Sequence, residues 1–200
     1  IRDSIESGAT MRGQTEANQL LATQTPQSEH LRRIAIAQES VRGMKRTDAD
    51  LCRRALSKER NQSHVTHNER LLAEWLAQRG LTGILQKAIG PYNVDIAVST
   101  IAVEIFGGSW HGYGRHAERS FKRFNYILNQ GWSVVVVWVY DRDCPLTVKA
   151  ADYIISFLEQ VSSNPTLIGQ YRVILGNGQD VTIDGRDLNY LSVKPSFARR

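Results

Sequence analysis

Cysteine is scarce in this chain. Cys52 and Cys144 stand far apart and unaccompanied, which excludes a disulfide framework and a structural zinc site built from several thiolates. Long apolar runs are missing as well. The longest, Val134 to Val139 with Trp138 inside it, is strand-sized, far short of the roughly 20 residues a membrane-spanning helix needs. The chain opens on Ile1 without a basic-then-apolar leader, as expected for a piece of a longer protein lacking its start, with no signal peptide to read. A reducing cytoplasm is the expected compartment. Residues 1 to 62 are low in aromatics and show no strand-like alternation, which argues for short helices joined by turns rather than a packed domain.

What is present starts with size and charge. A chain of 200 residues, 42% hydrophobic, can hold one full domain and a smaller appendage. Its net charge of +5 is uneven: residues 1 to 68 carry 11 Lys/Arg against 8 Asp/Glu, residues 69 to 140 carry 7 against 5, and the remainder balances at 7 and 7. An excess of this kind suits a polyanionic partner without requiring one.

The N-terminal stretch is weakly repetitive. Thr15-Glu16 precedes Leu20-Leu21, Ser28-Glu29 precedes Leu31 to Ile34, and Thr47-Asp48 precedes Leu51 to Leu56. Each hydroxyl can cap a helix start, with the acid beside it facing the positive end of the helix dipole. Two readings stand side by side, a set of basic helical DNA-binding repeats and a solvated basic linker. On the first, Arg32, Arg33, Arg53, Arg54 and Lys58 are the candidate phosphate contacts, which position a protein without reading bases.

From Glu69 the periodicity becomes helical, with Leu71, Leu72, Trp75 and Leu76 forming a stripe up to Gly80 and Thr66 or Asn68 available as the cap. An edge strand expected at Ile84 to Lys87 leads to the most informative stretch, Pro91 to His111. There Val94, Ile96 and Val98 alternate with Asp95, and Val103 and Ile105 alternate with Ala102, Glu104 and Phe106. Two strands joined at Ser99-Thr100 therefore bring Asp95 and Glu104 to a common side. Carboxylates on half-buried strands are tolerated when hydrogen-bonded, paired or bound to a metal. A helix follows from about His116 to Gln130, with Ala117, Phe121, Phe124 and Leu128 inward and Arg115, Arg119, Lys122 and Tyr126 outward. After it come a doubly buried strand at Val134 to Val139, expected at the sheet's centre, a helix at Thr147 to Val161, and a hairpin of Tyr171 to Leu175 with Asp180 to Ile183.

Four motifs occur in order: Glu69-x-x-Leu72, Ile89-Gly90-Pro91-Tyr92-x-Val94-Asp95, Val103-Glu104-x-x-Gly107-x-x-Trp110-His111, and Asn129-Gln130-Gly131-Trp132-Ser133-Val134. Together they resemble the very-short-patch-repair-like branch of the PD-(D/E)xK nuclease superfamily, and within it the Glu-Asp-x-His-Asp type of phage homing endonuclease. The N-terminal units resemble the nuclease-associated modular repeats of such enzymes. The resemblance implies an α/β fold: a restriction-endonuclease-like core of helix, three-stranded meander, helix, central strand and helix, with a C-terminal β-hairpin and a helical basic N-terminal extension. The corresponding divisions are residues 1–62, 63–165 and 166–200.

It also implies Mg2+-dependent hydrolysis of a phosphodiester in double-stranded DNA, with Mn2+ an expected substitute. Asp95, Glu104 and the carbonyl of Ile105 would hold the ion, Glu69 would sit beside it, and His111 would handle the proton of the attacking water. Glu118 is the nearest acid to the family's final aspartate. Arg115, Arg119 and Lys122 would meet phosphates. Most of the superfamily has a lysine where this chain has Phe106. A mismatch-type nicking enzyme is one alternative, weakened by the shortage of cysteines for its zinc; a catalytically silent DNA-binding protein on the same fold is the other. No membrane partner is implied, and a homodimer is compatible with the pattern without being specified by it.

Overall fold

A computed structural model describes residues 27–40, 42–43, 46–62, 64–107, 114–140 and 143–190, with the side chains of residues 28 and 114–117 excepted. The chain divides into two compact units, residues 1–46 and 47–200.

In the first unit, helix α1 runs over Gln27–Ser40. Ser28 lies inside this helix rather than capping it, and the Thr15-Glu16 unit falls outside the described residues. Arg32 and Arg33 are exposed, and Arg33 pairs with Glu29 one turn away at 2.7 Å.

The second unit is an α/β domain. Helix α2 (Asp48–Asn61) starts in a reciprocal capping box: the Thr47 hydroxyl accepts from the Asp50 amide, and the Asp50 carboxylate accepts from the Thr47 amide. Helix α3 (His67–Ala77) is capped by Thr66, which accepts from the Glu69 amide; Asn68 is already helical. Strands β1 (Ile84–Ile89), β2 (Tyr92–Val98) and β3 (Ile101–Gly107) form an antiparallel meander. After helix α4 (Gly114–Asn129) comes β4 (Ser133–Val139), and after helix α5 (Val148–Ser163) comes β5 (Tyr171–Leu175). The sheet order is β1-β2-β3-β4-β5, with β4 parallel to both β3 and β5. All seven residues of β4 are buried, as its apolar run requires, although β3 is the middle strand.

Two cores sandwich the sheet. One packs Leu72 and Leu76 of α3 and Ala150, Ile154 and Phe157 of α5 against Ile96, Val98, Ile101, Val103, Val135 and Val137. The other packs Phe124 and Ile127 of α4 against Ala97, Ala102, Phe106, Val134, Val136 and Trp138. Helix α4 is rotated from the expected orientation. Phe121 is 43% exposed and Ile127 fully buried, while Tyr126 stacks edge-on against Tyr92 with ring centroids 5.4 Å apart instead of facing solvent.

The expected division after residue 62 is displaced because α2 belongs to the domain. Glu59 accepts from the Ala88 amide at 2.7 Å and from Lys87 at 3.1 Å, and Asn93 donates to the Ala55 carbonyl at 2.8 Å. Residues 166–200 likewise contain no separate described unit, since β5 is the fifth strand of the sheet. The expected hairpin is only partly formed. A single bridge, Ile174 to Asp180, marks the return; main-chain bonds from Leu175 to Gln179 and from Val181 to Val173 flank it, and a side chain replaces the ladder bond at Thr182, whose hydroxyl accepts from the Val173 amide at 2.8 Å.

The turn between β1 and β2 requires glycine. Gly90 has φ of +56°, and a Cβ there would collide with the Tyr126 hydroxyl. Gly90→Ala should therefore cost about 1–3 kcal/mol through overpacking at a left-handed position, read as a lowered urea midpoint at unchanged slope.

Candidate metal-binding carboxylate site

The β2–β3 ladder is short. Val98 pairs with Ile101, Ala97 with Ala102 and Ile96 with Val103, and there the pairing ends. Beyond it β2 continues against β1 and β3 continues against β4. The next register positions, Asp95 and Glu104, stand where the two strands part. Asp95 Oδ2 accepts from the Ile105 amide at 2.8 Å, so a side chain takes the place of a ladder bond. The N–H and C=O of one strand residue project to the same side, which turns the Ile105 carbonyl towards Asp95 as well.

Arg123 holds the parted strands together. Its guanidinium donates to the Asn93 carbonyl on β2 and to Glu104 Oε1 on β3, while the arginine itself stands over Phe124 on α4. Sequence reasoning misses this residue, because it assigns the basic character of α4 to the outward face. The available signal is spacing: Arg123 directly precedes Phe124 and lies four residues before Ile127, on the flank of the buried stripe.

Gln86 marks a second irregularity. It lies across from Asp95, between the pairs Leu85–Ile96 and Lys87–Val94, and its backbone is left-handed with φ of +51°. At this point both strands exchange faces. Leu85, Ile96 and Val98 pack in the core under α3 and α5, whereas Ile89 and Val94 pack in the core under α4. Val94 therefore does not share a face with Ile96 and Val98, contrary to strict alternation. The Gln86 side chain is 2% exposed. Its Nε2 donates to Glu69 Oε2 at 2.6 Å, and its Oε1 is buried without a partner. Glu69, 5% exposed in the first turn of α3, also accepts from the Thr66 hydroxyl at 2.9 Å.

The electrostatics follow from this packing. Burial raises the Asp95 carboxyl from its ordinary 3.8 to about 6, opposed by the Ile105 amide, reinforced by the charge of Glu69, and opposed again by Arg123 and Lys58. Burial likewise raises Glu104 from 4.5 to about 8 against the pull of Arg123, with Asp95 adding repulsion. Two acids held side by side with raised proton affinity titrate as a coupled pair and mark a functional-site candidate. A divalent cation would return both to the charged form.

The expected site residues divide as follows. Asp95, Glu104 and Ile105 come together where the strands part, while Glu69, held by Thr66 and Gln86, and Lys58 of α2 lie within electrostatic reach of Asp95. His111 lies outside the described residues, as does the side chain of Arg115. Glu118, Arg119 and Lys122 are exposed on α4, and Arg54 is exposed on α2, where Arg53 pairs with Asp50. Phe106, at the position of the superfamily's lysine, is a core residue packed edge-on against Trp138 at 5.3 Å.

Among the described residues no group of three or more His, Cys, Asp or Glu side chains is arranged to hold a metal ion. Mg2+ needs fewer, being bound through one or two carboxylates with waters completing its octahedron. Asp95 and Glu104 supply that number, and the orphaned Gln86 oxygen beside Glu69 fits a site that accepts a further polar partner. No protein family, curated protein or solved structure matches the chain. No helix among the described residues is long and apolar enough to cross a membrane.

Raised carboxyl values have a definite consequence for stability. The folded protein binds more protons here than the unfolded chain does, so the contribution is full below about pH 4 and is lost as pH rises through about 6 for Asp95 and about 8 for Glu104. In chelator the melting temperature should fall between pH 5 and 8, and Asp95→Asn should flatten the decline. Adding Mg2+ should raise the melting temperature more at pH 8 than at pH 5; a thermal-unfolding series across pH measures both.

Proposed function

We propose that this chain is a Mg2+-dependent DNA endonuclease that hydrolyses a phosphodiester bond on a restriction-endonuclease-like core, of the homing type carried by phages and mobile elements. One observation carries the reading: Asp95 and Glu104 face each other where β2 and β3 part, at a break in an otherwise closed meander. The order of elements supports it, since helix, meander, helix, parallel strand and helix is the order the resemblance implies. On this reading Asp95, Glu104 and the Ile105 carbonyl hold the cation, which when bound would polarise the scissile phosphate and lower the pKa of a water.

The chain's own residues do the rest. Arg123 balances the charge of Glu104 and keeps the two strands at a fixed separation. Glu69 sits beside the pair, pinned by Thr66 and Gln86. Lys58 lies near Asp95, where an ammonium can meet a phosphate oxygen, a role the buried Phe106 cannot fill. His111 accepts the proton of the attacking water. Arg119 and Lys122 on α4 and Arg32, Arg33, Arg53 and Arg54 on the N-terminal helices meet the DNA backbone without reading bases.

Asp95→Asn or Glu104→Gln should abolish nicking of supercoiled plasmid in Mg2+ while leaving DNA binding nearly intact; joint loss of binding and fold would count against the metal role. The pairing of Glu104 with Arg123 favours a second reading, a silent DNA-binding protein, because that pair satisfies the buried acid without an ion. Wild-type protein that binds DNA tightly yet never nicks it in Mg2+ or Mn2+ would decide for the silent form.

The N-terminal helices call for their own test, and the division at Arg46–Thr47 sets the place to cut. Removing residues 1–46 leaves α2 on the sheet, so the remaining chain should fold, bind DNA more weakly and show a shallower dependence of affinity on salt. The slope of log affinity against log salt should drop by about one for each phosphate that is no longer neutralised. Filter-binding titrations at several salt concentrations measure the slope, and an unchanged slope would make the segment a linker.

A further inference from the structure

Buried amides ordinarily satisfy both their nitrogen and their oxygen, because an unpaired polar atom away from water costs about 1–3 kcal/mol. Gln86 satisfies one. Its neighbour Glu69 is a carboxylate and can only accept, so the amide nitrogen must face Glu69 Oε2, at 2.6 Å. The carbonyl oxygen is then left buried and without a partner. The same residue adopts a left-handed backbone in the middle of a strand, φ +51°, a conformation that a non-glycine residue holds at a cost of roughly 1–3 kcal/mol. Glutamine thus carries two costs at this position, an orphaned oxygen and a left-handed backbone. The bond to Glu69 accounts for the amide nitrogen and leaves the buried oxygen unexplained. A functional use of that oxygen explains why both costs are tolerated.

Its surroundings identify the use. Gln86 stands across from Asp95 in the β1–β2 register, and Asp95 stands across from Glu104 at the next step over, where β2 and β3 part. Glu69, to which Gln86 is tied, is close enough for its charge to act on Asp95. A neutral carbonyl oxygen among carboxylates matches the needs of a hard cation, which takes amide carbonyls along with carboxylates and water. It adds a ligand without adding to the repulsion between acids.

We propose that Gln86 is part of the divalent-cation site: its Oε1 is a ligand to the ion or to one of the ion's waters, while its Nε2 fixes Glu69 beside the same site. The proposal rests on the metal-site reading of Asp95 and Glu104, and the two can fail separately.

The probe is Mn2+ alone, titrated into the full chain without DNA and followed by its electron paramagnetic resonance signal. Gln86→Gly suits the left-handed backbone and should leave the melting temperature within a few degrees of wild type, yet weaken Mn2+ binding about tenfold. Gln86→Leu keeps the bulk, removes both polar atoms and should weaken binding to the same extent. Asp95→Asn should abolish binding. The tenfold loss from Gln86→Gly should persist in a Glu69→Ala background, which distinguishes a ligand from a residue that acts through Glu69.

Wild-type Mn2+ affinity in folded Gln86→Gly, with binding lost in Asp95→Asn, would overturn the role of Gln86 and leave the carboxylate site standing. Loss that disappears in the Glu69→Ala background would reduce Gln86 to a prop for Glu69 and would also overturn the ligand role. Undiminished binding in Asp95→Asn would sink the metal-site reading, and this proposal with it.

Discussion

The arrangement depends on the parting of β2 from β3 after the Ile96–Val103 pair. Left unpaired, the inner edges of two strands would expose amides and carbonyls in a buried place, at a cost of about a kilocalorie or more for each group. Side chains satisfy them. Asp95 takes the Ile105 amide, and Arg123 takes the Asn93 carbonyl and the Glu104 carboxylate together. The opening is thus held by one ionisable group on each of three elements, β2, β3 and α4. Removal of Arg123 or Glu104 leaves the other buried without its partner, the costly situation for ions in protein interiors, and removal of Asp95 leaves the Ile105 amide unpaired.

A gap maintained in this way differs from an accident of packing. Strands that merely fray do so at the solvent edge, whereas this separation lies between the second and third strands of five, with hydrophobic cores on both faces. The exchange of faces at Gln86 and Asp95 serves the same end. It carries the outer ends of β1 and β2 towards the α4 side, where Ile89 and Val94 join the core of Phe124 and Ile127, while the inner ends stay under α3. Glu69 on α3 and Arg123 on α4 can then approach one locality from opposite faces of the sheet.

The N-terminal boundary shows how local sequence can mislead. Residues 48–61 are polar on average, with only Leu51, Cys52 and Ala55 of their apolar residues turned inward, so their composition resembles that of the preceding segment. Helix α2 docks through polar contacts: Glu59 on the Ala88 amide and Lys87, and the Ala55 carbonyl on Asn93. Hydrophobic periodicity detects helices that dock by burying apolar surface and reports only weakly one whose apolar face is small and whose anchoring hydrogen bonds lie on a strand edge. The returning arm after β5 misleads for a related reason. Its turn residues are correct for a hairpin, but the parallel ladder with β4 is a long-range pairing that turn chemistry does not report.

By itself the sequence determined the elements whose causes are local. The Thr47 cap, the stripe of α3, the glycine turn before β2 and the buried run of β4 all follow from spacing, capping and alternation within a few residues. Only the tertiary structure decided which cationic side chain meets those acids, how the strands part around them, and that Phe106 is a core residue packed on Trp138 and Phe124. Those outcomes join residues from separate elements, Arg123 with Glu104 and Glu69 with Gln86. Such contacts are fixed by how helices seat on the sheet, and no periodicity along the chain encodes that seating.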